Sequence, residues 1–74
     1  MSRRQRLASY AELGELLEAL PVAVRERRRS LGLSLREAGE VLGMSASTLA
    51  RIEAGEDFNV RALPVLLAWL GGDA

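Results

Sequence analysis

The chain has 74 residues, enough for one domain with one modest core. Ten arginines and no lysine balance ten acids to a net charge of zero, with 49% hydrophobic and 27% charged residues, a globular composition. There is no cysteine and no histidine, which excludes disulfide staples, thiol chemistry, Cys/His zinc sites and the commonest general base. No serine is paired with a base, so the reading is not an enzyme, with no cofactor, no metal and no small-molecule ligand.

No apolar run reaches the roughly 20 residues of a membrane span, and the N-terminus lacks the apolar stretch of a signal peptide. The expected location is therefore the cytoplasm. Charge is unevenly placed along the chain, which matters more than its sum. Arg3, Arg4 and Arg6 form a basic tail, and Arg25, Arg27, Arg28 and Arg29 a second cluster. Glu12, Glu15 and Glu18 lie between them.

Residues 1–8 read as a flexible basic arm. Ser9 and Glu12 have capping-box spacing and open an amphipathic helix over 9–20. Leu13, Leu16, Leu17 and Leu20 fall on its apolar stripe and the three glutamates on its other side. Pro21 is expected to end this helix and to sit in the first turn of the next. That second helix runs from about Val22 to Leu31 and is closed by Gly32. Ser34 with Glu37 caps a third, ending at Leu42 before Gly43. Ser45 caps a fourth, about Ala46 to Ala54, closed by Gly55. Asn59 is the expected cap of a fifth, about Val60 to Leu70, stopped by Gly71 and Gly72, with 72–74 as a tail. Five short helices and no strand pattern define an all-α bundle.

The informative stretch is Ser34 to Gly55, read as helix, tight turn, helix. Ala38, Gly39, Leu42, Leu49 and Ile52 are small or apolar where the two helices would face one another. Glycine inside a helix costs about 1 kcal/mol relative to alanine, which makes sense at Gly39 if the next helix crosses close above it. Ser45 caps a helix whose first turn, Ala46-Ser47-Thr48, is small and polar. Such a terminus suits phosphate and base-edge contact, although spacing alone also allows a plain αα-hairpin. Arg28 lies within the Val24–Leu31 stripe, and Glu53 lies at the edge of the Leu49–Ile52 face. A buried charge needs a partner, and these two are the natural pair; the alternative is two surface charges whose stems snorkel.

The run VRERRRSLGLSLREAGEVLGMSASTLARIEAG resembles the Xre and Cro-type phage-repressor helix-turn-helix family. The resemblance covers about Val24 to Leu70. It implies a lambda-repressor-like bundle over 21–71, a buried ion pair at Arg28 and Glu53, and sequence-specific binding of double-stranded DNA by a small prokaryotic or phage transcriptional regulator. It places Ser45, Ala46, Ser47, Thr48, Ala50 and Arg51 toward bases or the groove. It also places Ser34, Leu35, Arg36 and Arg61 toward the DNA backbone. Ala46 stands where a long polar side chain often reads a base, and Leu35 where a glutamine often contacts phosphate. With these departures, specificity leans on Ser47, Thr48, Arg51 and DNA shape.

The helix over 9–20 reads as an addition to the family pattern. Its leucines would leave a large apolar stripe bare on a lone monomer. Two docking sites are open to it, the chain's own core and the matching helix of a second copy; a homodimer with Leu13, Leu16, Leu17, Leu20 and Trp69 as interface candidates is expected, with Gly14 allowing close approach. The alternative is a protein-interaction module, an antitoxin or anti-repressor, built on the same scaffold. Neutral net charge, Ala46 and the leucine-striped acidic helix favour that alternative.

Overall fold

The computed structural model describes residues 9–56 and 60–72. They form four α-helices: α1 Tyr10–Ser30, α2 Leu35–Leu42, α3 Ala46–Glu53 and α4 Leu63–Leu70. No strand occurs among the described residues. The basic arm, Asn59 and residues 73–74 lie outside them.

Four helices replace the expected five because Pro21 sits inside α1, which continues unbroken to Ser30. The boundary expected at 20/21 therefore falls within a single helix. Two features explain this. No Ser, Thr, Asp, Asn or Gly stands near Pro21 to cap a new helix, and the spacing Leu13, Leu17, Leu20, Val24 carries one apolar stripe straight across the proline. Leu20 and Val24 are both buried by this continuity. Tertiary burial outweighs the local cost of the lost donor. Ser9 caps α1, accepting the Glu12 N–H at 3.0 Å. At the other end Gly32, at φ 70°, lets the Leu33 N–H reach the Arg28 carbonyl at 3.1 Å.

The Ser34 capping box on α2 is complete. Its hydroxyl accepts the Glu37 N–H at 3.0 Å, and the Glu37 carboxylate accepts the Ser34 N–H at 2.9 Å. These bonds favour the charged form, so the Glu37 carboxyl titrates below its ordinary value. Gly43, at φ 77°, closes α2 and turns the chain into α3. The last helix begins three residues later than expected, at Leu63, with Pro64 in its first turn. A helix starting at Val60 would need an N–H at residue 64 to bond the Val60 carbonyl, which proline lacks. Residues 60–62 form a turn instead, with the Leu63 N–H on the Val60 carbonyl at 3.3 Å.

One core joins all four helices: Leu20 and Val24 of α1, Ala38 and Leu42 of α2, Leu49 and Ile52 of α3, Leu66 and Trp69 of α4, with Ala62. The Arg27 guanidinium lies 5.8 Å from the centre of the Trp69 ring, a cation–π contact that lids this end of the core.

Candidate nucleic-acid interface

The α2–turn–α3 unit is held close by Gly39. A Cβ built on it would stand 2.5 Å from the Met44 carbonyl oxygen. The turn backbone therefore occupies the space a side chain would fill. The Met44 N–H closes the same turn on the Gly39 carbonyl at 2.9 Å. Only a residue without a side chain permits this approach as built, and it fixes the angle at which α3 leaves α2.

From the other side α3 is fastened to α1 by Arg28 and Glu53. Arg28 Nε donates to Glu53 Oε2 at 2.7 Å and Nη2 donates to Oε1 at 3.0 Å, a two-pronged pair. Nη1 donates to the Leu33 carbonyl at 3.0 Å, so the same guanidinium also ties down the α1–α2 connection. The side chains are 16% and 8% exposed. The bond to Glu53 raises the Arg28 pKa further above its ordinary value, so the guanidinium is charged at any accessible pH. The Leu33 contact had no signal in the sequence, because it depends on the left-handed turn at Gly32 aiming a backbone carbonyl.

Leu49 and Ile52 point α3 inward, and helical periodicity puts Ser47 and Arg51, with Ala54 just past the helix end, on its outer face. Ser47, Arg51 and Ala54 are exposed, while Ala46, Thr48 and Ala50 are half-buried along its flanks. Two hydroxyls in the first turn are engaged with one another. Ser45 Oγ accepts the Thr48 N–H at 3.1 Å and donates to Thr48 Oγ1 at 2.9 Å. Ser45 is thus foremost a cap, leaving Ser47 and Arg51 as the outward polar side chains of α3. The ridge is low and narrow, with alanines between the polar groups.

The remaining site residues take up positions around this ridge. Ser34 and Arg36 are exposed at the start of α2, and Leu35 is half-buried beside α3. Arg61 is exposed and shares a shallow cleft with Gly43, Met44 and Thr48, next to the first turn of α3. The interface candidates divide. Leu20 and Trp69 belong to the chain's own core, at 4% and 2% exposure, because α1 and α4 pack on each other in the monomer. Leu13 and Leu17 are half-buried, and Leu16 is 50% exposed. A Cβ on Gly14 would meet nothing within 4 Å. Among the described residues no group of acidic side chains gathers to hold a metal ion, and no helix is long and apolar enough to cross a membrane.

A short capped helix, a glycine turn and a second helix with a small polar outer face define a helix-turn-helix protein. A family model described as "Helix-turn-helix domain" matches residues 12–73. The chain belongs to this family, whose members are typically non-enzymatic and whose fold suggests DNA as the partner. The match begins within the first turn of α1, so the N-terminal half of that helix lies inside the family domain. No curated protein and no solved structure matches the chain.

Proposed function

We propose that the chain is a sequence-specific double-stranded DNA-binding regulator of the Xre and Cro type, repressor-like, acting on the DNA of a prokaryotic cell or phage. The observation that carries this reading is the outer face of α3: small side chains with Ser47 and Arg51 outward, on a helix clamped by Gly39 and by the Arg28–Glu53 pair. A helix of this breadth enters a major groove about 12 Å wide without steric conflict. Arg51 then reaches bases or phosphates and Arg61 meets the flanking strand, with Ser34 and Arg36 at the backbone.

A homodimer completes the reading, since a two-fold operator needs two recognition helices about 34 Å apart. Candidate side chains for it are among the large apolar ones that the core leaves exposed, such as Leu16 on α1 and Leu67 on α4, 50% and 40% exposed. The same exposed side chains favour a second reading, in which the scaffold holds another protein. Titration of a labelled mixed-sequence duplex across salt concentrations separates them. The regulator reading expects affinity that falls steeply with salt, followed by selection of two-fold sites from random DNA. Absence of salt-sensitive binding, with capture of a protein instead, supports the second reading.

A further inference from the structure

The face of α3 has two flanks. On the Thr48 side stands Arg61. On the other side a shallow cleft of about 250 Å³ runs between α1 and α3, lined by Ala50 and Glu53 of α3, Ala54 just past its end, Leu35 of α2, and Arg25 and Arg28 of α1. Both Glu53 oxygens and the Nε, Nη1 and Nη2 groups of Arg28 are committed to one another or to the Leu33 carbonyl. Arg25 differs. It is exposed at the rim of the cleft, and no hydrogen bond or ion pair engages it among the described residues.

Its neighbours along α1 sharpen the point. One turn before Arg25 are Pro21 and Val22, and one turn after it are Arg28 and Arg29. No acid stands at helical spacing to neutralise it, and Arg29 at i+4 is a like charge, which an isolated helix disfavours. Placing two arginines there is favourable when an anion lies across from them.

Resting on the DNA reading above, we propose that Arg25 is a second phosphate contact, gripping the strand opposite to the one met by Arg61. A helix lying in a major groove has a sugar–phosphate wall on each side. Arg61 belongs to the wall on the Thr48 flank, and Arg25 to the wall on the Ala50–Ala54 flank. The small side chains of Ala50 and Ala54 leave that wall free to approach the cleft. Arg25 adds affinity and fixes the roll of α3 in the groove, without reading sequence.

The test is a fluorescence-anisotropy titration of a labelled 30-base-pair mixed-sequence duplex against the full chain, repeated over a salt series. Compared are the native chain, Arg25→Ala, Arg25→Lys and Arg61→Ala. Arg25→Ala should reduce the slope of log K against log salt by about one unit, as expected for one lost phosphate contact. Arg25→Lys should restore most of that slope, and the melting temperature should not move, since no partner is lost in the fold. The proposal is overturned if Arg25→Ala keeps the native slope while Arg61→Ala loses its unit; the DNA reading then stands and only this contact fails. Salt-insensitive or undetectable binding by the native chain overturns both.

Discussion

At the scale of single residues, two contacts set the orientation of α3. Arg28 and Glu53 are joined by two short bonds, and each would be left charged and half-buried without the other. Removing one partner of a fully buried pair costs about 3–5 kcal/mol. Residual exposure here lowers the expected cost of Glu53→Ala to about 2–3 kcal/mol, a large share of a small domain's stability. Urea denaturation measures it, and a loss below about 0.5 kcal/mol would mean that water already screens the pair. Gly39 is the second contact. Any side chain there meets the Met44 carbonyl, a backbone atom that cannot rotate aside. Gly39→Val should destabilise by about 1–3 kcal/mol through overpacking. It should also weaken DNA binding by more than its folding loss explains, because the displaced turn re-aims α3. Both contacts were legible in the sequence. Arg28 and Glu53 interrupt apolar stripes on facing helices, and Gly39 is a poor helix former where only close approach justifies it.

At the scale of elements, caps were readable and continuity was not. Ser9, Ser34 and Ser45 cap their helices, and Gly32, Gly43 and Gly55 turn left-handed just beyond them. These features act within one turn of chain, so local sequence reveals them. Pro21 misleads for the same reason: its local preference is to end a helix, but burial of Leu20 and Val24 on either side of it keeps α1 whole. Pro64 points the other way. Confined to a first turn, it would have placed the start of α4 at Leu63. Replacing Pro21 with alanine restores an N–H able to reach the Leu17 carbonyl, and should stabilise the chain by roughly 1–2 kcal/mol. Thermal denaturation checks this, and a destabilised variant would show that the packing of the proline ring matters more than the missing bond. The capping box gives a pH dependence of defined sign. Because the folded Glu37 carboxyl titrates below its ordinary value, its ionised form stabilises the fold above the usual carboxylate range. That contribution disappears as pH falls through the lowered value. Glu37→Gln keeps an acceptor for the Ser34 N–H but cannot ionise. Melting curves from pH 7 to pH 3 should therefore show the native chain ahead at neutral pH and the gap closing in acid. A constant gap would contradict the assignment.

For the molecule as a whole, the core closes over nine of the described residues and leaves apolar side chains outside it, among them Leu16 on α1 and Leu67 on α4. If these join two copies, Leu16→Lys and Leu67→Lys should each leave the melting temperature nearly unchanged. Each should shift sedimentation toward monomer and weaken binding to a two-fold site far more than to a half-site. A monomeric native chain would contradict the dimer and leave the recognition face untouched. Trp69 was expected at that interface and lies in the core instead. Sequence marks a large aromatic as buried without saying by what, and here the neighbours are α1 and Arg27. In the proposed function, the outer face of α3 meets DNA. Amide chemical-shift mapping tests it most directly, by titrating a labelled chain with a mixed-sequence duplex at low salt. The largest shifts are expected at Ser45 to Arg51 and near Arg61, with little change at Leu13 to Leu17. Shifts concentrated at Leu13 to Leu17 and α4, with α3 silent, would contradict it.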